Sequence, residues 1–426
     1  MPKPLEYFTY RDGILSAEEV ALTELAEKFG TPTYVYSKEA FLAPLRDLER
    51  GLAGLDHLVC FAVKANSNLS VLKLLAEAGA GMDLVSGGEL RRALRAGADP
   101  GKLVFSGVGK SLAEIDEGLA HPLHSFNVES VVELKLLSDR AKAAGKRARV
   151  ALRFNPDVDP KTHPYISTGL KKNKFGLQRA EILALLKRHE FAGVRIAGLS
   201  IHIGSQILSL SPFEDAFKKT KRMVGEIESI LGSPLEFLDL GGGLGIPYRN
   251  EKPPSIEAYT KLIRKHFGPK SEIDGRYRIL LEPGRTIAGN SGVLLSRVLY
   301  RKPRKTKDFV IVDAGMNDLV RPALYGSYHE IVPVEAARGK GKRRKCDVVG
   351  PVCESSDCFA SDRPLADRIE GGDLVAFLSA GAYGMSMASQ YNTRGRPAEV
   401  LVDGEGYRLI RKRETFEDLI GSEVFR

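Results

Sequence analysis

The sequence predicts an α/β fold in which a TIM (β/α)8 barrel is joined to a separate all-β barrel or sandwich domain. Short apolar strands alternate with helical patterns between about residues 33 and 285. Eight strand–helix repeats over ~250 residues favour a TIM barrel over an open doubly wound sheet. After residue 285, strand-like runs follow one another without long helices, which is typical of an all-β domain. A chain of 426 residues, 43% of them hydrophobic, is long enough for two such domains.

The eight predicted barrel strands are short and apolar. In chain order they cover residues 57–65, 81–86, 102–107, 124–129, 148–155, 197–205, 236–243 and 277–284. Gly79, Gly97 and Gly145 close helical runs between them, as glycine often does just beyond a helix C-terminus. We therefore assign residues 33–285 to the barrel domain.

The second domain is predicted to combine two pieces of the chain, residues 1–32 and 286–426. The later piece contains six strand-like runs: FVIVDAG, HEIVPVE, CDVVGPVC, DLVAFLSAGAY, AEVLVDG and YRLIRKRE. The earlier piece contains Asp12-Gly13, which is a strong signal for a tight β-hairpin. We expect this hairpin to join the later strands, which makes the β domain discontinuous in sequence.

Composition argues against several classes of protein. No apolar run reaches the ~18–20 residues that span a bilayer, and the N-terminus lacks a basic segment followed by an apolar one. The four cysteines form neither a disulfide framework nor a paired zinc motif; they are Cys60, Cys346, Cys353 and Cys358. We expect a reduced, cytoplasmic protein without a metal or a membrane partner, and we place Cys60 in the core.

The net charge of +9 is concentrated in two basic runs, residues 301–307 and 338–345. A nucleic-acid-binding patch would produce such runs, but so would two solvated hairpin loops. Neither run is interleaved with aromatic residues. We therefore favour hairpin loops and expect no nucleic-acid partner.

In a TIM barrel, functional side chains lie at the C-terminal ends of the strands. Unusual residues occur at the ends of five predicted strands: Lys64, then Asp83 and Ser86, then His202 and Ser205, then Gly241–Gly243, and then Glu282–Arg285. Each has an ordinary explanation when taken alone, such as a helix cap, a core histidine or a tight turn. Because all of them would lie on one rim, the sequence predicts a site there.

The glycine-rich stretches do not fit nucleotide motifs. GGGLGI (241–246) has Ile where G-x-G-x-x-G requires Gly, and GKS (109–111) lacks the upstream glycine of a P-loop. The three glycines can still offer backbone N–H groups to a phosphate at a helix N-terminus.

A strand-end lysine, a phosphate loop and a rim carboxylate together fit pyridoxal 5′-phosphate. Lys64 would form a Schiff base with its aldehyde. Glu282 would keep the pyridine nitrogen protonated, which favours carbanion chemistry such as decarboxylation. We accordingly expect the partner of Lys64 to be a covalent cofactor rather than a carboxylate.

Motifs in the order FAVKAN, HIGSQ, LDLGGGLGI, LEPGR and GPVCESSD resemble the fold-type III pyridoxal phosphate-dependent decarboxylases over nearly the whole chain. Residues 163–176 and the sequence CES (353–355) resemble the branch that converts meso-2,6-diaminopimelate to L-lysine and CO2, the last step of lysine biosynthesis. The resemblance implies a TIM barrel, a β domain, and a homodimer with shared active sites.

Carried over by motif, the resemblance implies a role for each matching residue. The implied cofactor-binding residues are Lys64, Asp83, His202, Ser205, Gly243, Glu282, Gly284, Arg285 and Tyr383. The implied substrate-binding residues are Arg285, Arg321, Tyr325, Glu354 and Tyr383, and the implied catalytic residues are Lys64, His202 and Cys353. Cys353 would be the proton donor, Glu354 would bind the distal ammonium group, and both would come from the partner chain. Guanidinium groups and a carboxylate suit an amino-acid end of a substrate.

Other functions stay open at this point. Decarboxylases of ornithine, arginine or carboxynorspermidine share the chemistry, although RPALY followed by CES suits a distal amino-acid end. A racemase-like enzyme would pair the pyridine nitrogen with arginine rather than with Glu282. A non-catalytic pyridoxal phosphate-binding protein would be a single barrel, without the long C-terminal β domain.

Overall fold

The structure is a computed structural model that describes residues 5–160, 173–188 and 191–425. The chain forms two compact units. The β unit consists of Met1–Leu42, Pro247–Glu251 and Ile287–Arg426, and the barrel unit consists of Ala43–Ile246 and Lys252–Thr286. Within the described ranges, no helix has both the length and the apolar character needed to cross a membrane.

The N-terminal part of the β unit is a three-stranded antiparallel sheet of β1 (Phe8–Arg11), β2 (Ile14–Ala17) and β3 (Val20–Ala21). The β1–β2 turn has φ of 47° at Asp12 and 84° at Gly13. Positive φ at both positions is the geometry of a type I′ turn, whose twist matches that of the flanking strands. The predicted hairpin is therefore confirmed. Next come α1 (Leu22–Phe29), β4 (Thr33–Ser37) and α2 (Lys38–Leu52).

The barrel unit contains a closed barrel of eight strands, in which each pair of neighbours is parallel. The strands are β5 (His57–Ala62), β6 (Gly81–Leu84), β7 (Leu103–Phe105), β8 (Ser125–Val128), β9 (Ala148–Arg153), β10 (Val194–Ser200), β11 (Phe237–Asp239) and β12 (Arg278–Leu281). The predicted TIM barrel is confirmed, because one strand lies within or overlaps each of the eight predicted runs.

Helices connect the barrel strands. They are α3 (Leu69–Glu77), α4 (Gly87–Arg95), α5 (Leu112–Ala120), α6 (Val131–Ala143), α7 (Arg179–Leu186), α8 (Ser211–Leu231) and α9 (Ile256–Phe267). Gly79, Gly97 and Gly145 have positive φ just beyond α3, α4 and α6, which confirms them as C-terminal glycines. Cys60 packs in the apolar core of this unit, as predicted.

The chain continues through α10 (Arg285–Ala288), β13 (Gly292–Lys302), β14 (Asp308–Val312), α11 (Arg321–Tyr325), β15 (Ile331–Pro333), β16 (Arg343–Val349), β17 (Cys358–Ala366), β18 (Leu374–Phe377), β19 (Ala398–Asp403), β20 (Gly406–Arg411) and α12 (Phe416–Ile420). The main sheet runs in the order β17-β16-β14-β13-β4-β19-β20, and β18 pairs with β13 and β15.

This sheet is mixed, because β4 and β19 pair in parallel, as do β14 and β16. One apolar core of the β unit joins early residues such as Phe8 and Leu25 to later ones such as Val293 and Val400. The predicted barrel-plus-β architecture is confirmed, with the difference that short helices accompany the β strands.

The two basic runs differ from each other. Residues 301–307 span the β13–β14 hairpin connection, as predicted. Residues 338–345 do not form a hairpin loop, because β15 pairs with β18 whereas β16 pairs with β14 and β17. Arg301 and Arg344, one from each run, both pair with Asp308 at 2.9 Å. Part of the basic charge is thus neutralised within the β unit.

Candidate active site

Lys64 lies two residues beyond the end of β5, in a short 3-10 turn over Val63–Ala65. Its Nζ donates a hydrogen bond to Oδ2 of Asp83 at 2.6 Å. The expected covalent bond between Lys64 and a cofactor stays a prediction, but the sequence did not anticipate this contact with a carboxylate. The reason is strand register: Asp83 on β6 is aligned with Ala62 on β5, so parallel pairing brings the two side chains to the same rim.

Asp83 is 0% exposed, and its second oxygen, Oδ1, has no hydrogen-bond partner among the described residues. Leaving a buried acceptor unsatisfied costs about 1–3 kcal/mol. A ligand that brings a polar group to this point would remove that cost. The Lys64–Asp83 pair therefore leaves Oδ1 of Asp83 available to a ligand, which an ion pair with only a structural role would not need to do.

Two buried carboxyl groups, Asp239 and Glu282, lie at the ends of β11 and β12. They are 1% and 6% exposed. Nδ2 of Asn127, on β8, donates to Oδ2 of Asp239 at 2.9 Å and to Oε1 of Glu282 at 3.2 Å. Ser106 Oγ also donates to Oε1 of Glu282, at 3.3 Å.

Burial raises the pKa of Glu282 well above its usual range, and the neighbouring charges of Asp239 and Asp83 raise it further. Burial also raises the pKa of Asp239. A pair of this kind retains a proton unless a cation comes close. A protonated ring nitrogen of a ligand would supply such a cation and allow Glu282 to ionise.

Sequence reasoning missed Asp239, Asn127 and Ser106. Asn127 lies within β8 and Asp239 is the last residue of β11, whereas Ser106 directly follows β7. The available signal was a polar residue at or near the end of an otherwise apolar strand, which is the criterion that identified Asp83 and Glu282.

His202 follows β10 and is partly buried. The backbone N–H of Gly204 donates to its Nδ1 at 3.3 Å, so the ring proton lies on Nε2. Burial lowers the pKa of His202 well below its usual range, and the charges of Arg153 and Lys64 lower it further. His202 is therefore a neutral ring that can stack on a flat aromatic ligand.

Arg153, at the end of β9, is another residue that the sequence did not indicate. Its Nη1 donates to Oε1 of the buried Glu129 at 2.8 Å. The other oxygen of Glu129 accepts from the N–H of Gly176 at 3.1 Å. Gly176 belongs to the motif 163–176, of which residues 163–172 lie outside the described residues.

The glycine turn after β11 brings three backbone segments into contact. A Cβ atom at Gly241 would overlap the carbonyl oxygen of Ile201, and one at Gly242 would overlap that of Glu282. One at Gly243, where φ is 110°, would overlap that of Gly204. Only glycine allows this close approach.

The prediction that a helix N-terminus follows the glycines is wrong, since the next helix, α9, begins at Ile256. Backbone hydrogen bonds hold the turn instead, with Gly241 O accepting from Glu282 N at 2.8 Å and Gly243 O from Ile207 N at 2.9 Å. Nearby, Arg285 Nε donates to Ser205 Oγ at 3.2 Å. A buried guanidinium, a hydroxyl and the adjacent buried Gly284 form a set that suits a phosphate.

Ser86 is a helix cap and not a residue of the site. It is the N-cap of α4, and its Oγ accepts a hydrogen bond from the N–H of Glu89 at 3.2 Å.

The remaining predicted residues belong to the β unit. Arg321 begins α11 and is 4% exposed, and Tyr325, partly buried, ends the same helix. Tyr383 has a φ of 56°. A positive φ is unusual for a bulky residue and is typical of functional sites.

Cys353 and Glu354 are exposed on the loop between β16 and β17. The N–H of Cys353 donates to Asn392 Oδ1 at 2.7 Å. The carboxylate of Asp357 accepts from the N–H groups of Met316 and Val352, both at 2.7 Å. These bonds hold the loop on the β unit and present the thiol of Cys353 to solvent.

The residues of the barrel rim fit pyridoxal 5′-phosphate. Lys64 supplies an amine, and Asp83 has an unsatisfied oxygen. The Asp239–Glu282 pair suits a ring nitrogen, and the neutral His202 suits a flat ring. The glycine turn with Arg285 suits a phosphate.

Comparisons with known proteins agree with this fit. Residues 40–289 match the family model of the pyridoxal-dependent decarboxylases, pyridoxal binding domain. A diaminopimelate decarboxylase of Pseudomonas aeruginosa is 51% identical over 423 residues, which cover 98% of this chain and 99% of that protein. A diaminopimelate decarboxylase of Neisseria meningitidis is 48% identical over 411 residues, or 96% and 97% of the two chains.

Solved structures give the same result. The diaminopimelate decarboxylase of Helicobacter pylori complexed with L-lysine superposes with a TM-score of 0.88 at 43% identity, covering 94% of this chain and 99% of that one. The enzyme of M. jannaschii in complex with L-lysine superposes with a TM-score of 0.90 at 40% identity, covering 99% and 98%.

Proposed function

Because this chain belongs to the diaminopimelate decarboxylases, a branch of the pyridoxal-dependent decarboxylases, we propose that it converts meso-2,6-diaminopimelate to L-lysine and CO2 with pyridoxal 5′-phosphate as cofactor. The observation that carries this proposal is the 51% identity over nearly the full length of both chains. An activity in the last step of lysine biosynthesis follows from the product.

The rim residues of the barrel unit would hold the cofactor. Lys64 would bind its aldehyde carbon covalently, with Asp83 beside the amine. Glu282 would hold the proton on the ring nitrogen, and His202 would stack on the ring. The phosphate would be bound by Ser205, Gly243, Gly284, Arg285 and Tyr383.

When bound, the cofactor draws electrons away from the substrate Cα, so that the bond to the carboxylate can break and release CO2. The raised pKa of Glu282 suits this chemistry, because it favours keeping a proton between Glu282 and the ring nitrogen. Asn127 and Ser106 each donate to Oε1 and so orient this carboxyl group.

The β unit would supply the substrate-binding groups. Arg321 and Tyr325, together with Arg285, would bind the distal carboxylate of the substrate, and Glu354 would bind the distal ammonium group. The Cys353 thiol would deliver the proton that replaces the lost carboxylate on Cα, which balances the reaction. The solvent-facing positions of Cys353 and Glu354 support a role in the site of a second copy.

We infer accordingly that the enzyme is a cytoplasmic homodimer with shared active sites. A decarboxylase of ornithine, arginine or carboxynorspermidine is the rival function, since it would use the same barrel residues.

Product analysis tests the proposal. The pyridoxal phosphate-loaded protein is incubated separately with meso-diaminopimelate, ornithine, arginine and carboxynorspermidine. We expect lysine and CO2 from the first substrate and no CO2 from the other three. Release of CO2 from one of the other three, with none from diaminopimelate, would overturn the assignment of substrate and leave the reaction class intact.

A further inference from the structure

We propose that His329 is a positioning residue that aims the Arg321 guanidinium at the distal carboxylate of the substrate. The inference rests on the proposed function, in which Arg321 binds that carboxylate. It adds a residue to which the sequence assigned no role.

His329 is 0% exposed, and each ring nitrogen faces a group of known polarity. Nδ1 lies 2.8 Å from the carbonyl oxygen of Leu378. A carbonyl oxygen only accepts hydrogen bonds, so Nδ1 carries the proton. Nε2 lies 3.0 Å from Nη1 of Arg321. A guanidinium only donates, so Nε2 presents its lone pair. The two partners together select one neutral tautomer of the ring.

The neutrality of His329 has a direct consequence for Arg321. A carboxylate at this position would orient the guanidinium but would also cancel its charge. The imidazole accepts the same hydrogen bond without adding a negative charge. The contact therefore directs Arg321 while preserving its attraction for an anionic ligand.

Two further contacts hold the same guanidinium. The guanidinium carbon lies over the Tyr248 ring, 5.0 Å from the ring centre. The same ring packs edge-on against His329, with 5.7 Å between the two ring centres. Nη2 of Arg321 donates to Ser327 Oγ at 3.3 Å. Arg321 itself is only 4% exposed. The aromatic face of Tyr248, Ser327 Oγ and His329 Nε2 thus all contribute to holding its plane, and the contact with His329 is shorter than that with Ser327.

Two amide substitutions separate the two bonds of His329. In His329→Asn, the side-chain amide can donate to Leu378, as Nδ1 does, but its oxygen does not reach Arg321. In His329→Gln, the amide oxygen reaches the position of Nε2 and can accept from Arg321. We expect His329→Asn to raise the KM for diaminopimelate about tenfold with little change in kcat, and His329→Gln to restore most of the affinity.

A binding comparison excludes a purely structural effect. L-lysine retains the distal carboxylate, whereas 1,5-diaminopentane is the same molecule without it. We expect the wild-type holoenzyme to bind lysine more tightly than the diamine, and His329→Asn to reduce this preference about tenfold. Arg321→Lys should reduce it similarly, which tests the premise that Arg321 binds the distal carboxylate. If His329→Asn does not fold, His329→Gln still tests the positioning role, because it keeps an acceptor for Arg321 and should therefore keep the preference for lysine.

The outcomes are distinct. If His329→Asn weakens both ligands equally, or neither, or if His329→Gln loses the preference to the same degree, the positioning role is wrong. If the wild-type enzyme does not prefer lysine, Arg321 does not bind the distal carboxylate, and that part of the proposed function fails first.

Discussion

Asp239 and Glu282 illustrate how single residues set the chemistry of this rim. Each is a carboxyl group at a strand end, and each is almost fully buried. Placed together with Asp83, they concentrate acidic groups around Lys64. This arrangement is unfavourable by itself and becomes favourable when a cationic ring nitrogen is bound. A cationic group bound at this rim would therefore relieve the mutual repulsion of these carboxyl groups.

The first prediction concerns the pH dependence of the cofactor-free protein. The pKa values of Asp239 and Glu282 are raised in the folded state, so the folded state binds more protons than the unfolded state. The stabilisation is complete below the unfolded pKa of ~4 and is lost as pH rises toward the folded pKa. We expect the melting temperature of the wild type to fall between pH 5 and pH 8. The fall in Asp239→Asn should be smaller than that of the wild type by about 2–4 °C.

Thermal unfolding at several pH values measures this difference. The control is Asp274→Asn, which changes an exposed carboxyl group of the same unit. Equal pH slopes in the wild type and Asp239→Asn would show that the pair does not share a retained proton.

At the scale of elements, the rim is built from the loops that follow the strands. The predicted strands ran too far: β5 ends at Ala62 and β11 at Asp239, so Lys64 and the glycines lie in turns. Local apolar character continued past the last ladder hydrogen bond, which is why the strand ends were misplaced while the strands themselves were found.

The second prediction tests the glycine turn. A Cβ atom at Gly242 would overlap the Glu282 carbonyl oxygen, so Gly242→Ala should destabilise the protein by about 1–3 kcal/mol. It should also weaken cofactor binding, because it displaces the backbone of Glu282. Urea unfolding and fluorescence titration with pyridoxal phosphate measure the two effects.

Gly225→Ala is the matched control. Gly225 lies inside α8, and a Cβ atom there meets nothing within 4 Å. The change should stabilise the protein by about 0.5–1 kcal/mol, because alanine favours a helix. If Gly242→Ala and Gly225→Ala have the same free energy of unfolding, the close approach at Gly242 does not contribute to stability.

At the scale of the whole molecule, the chain divides into a barrel unit and a β unit, and the β unit is assembled from three pieces of sequence. We propose that these units are the two functional domains. The N-terminal piece contributes β4, which pairs with β13 and β19. The hairpin itself lies in the separate β1-β2-β3 sheet, and it joins the later strands through the shared apolar core that contains Phe8 and Val400.

The third prediction concerns the proposed shared sites. Lys64→Ala should lose both turnover and the absorbance of the covalently bound cofactor, and Cys353→Ala should bind the cofactor but turn over slowly. If Lys64 and Cys353 act in one site from different subunits, mixing and refolding the two variants creates dimers with one intact site. We expect activity to recover to about a quarter of the wild-type value.

Size-exclusion chromatography with light scattering would establish the oligomeric state beforehand. Mixing each variant with itself is the control. If the protein is a dimer and the mixed variants recover no activity, Lys64 and Cys353 of each site belong to the same subunit.

The sequence by itself determined the number and order of the barrel strands and the hairpin at Asp12, and it predicted which residues near the strand ends would form a site, because apolar periodicity and short motifs are local properties. Only the tertiary structure decided which side chains meet. Asn127 bonds Glu282 across 155 residues of sequence, and Asp83 reaches Lys64 through strand register. His329 acquires its role from Leu378 on one side and Arg321 on the other. Barrel closure and sheet pairing create such contacts, and no local pattern in the chain encodes them.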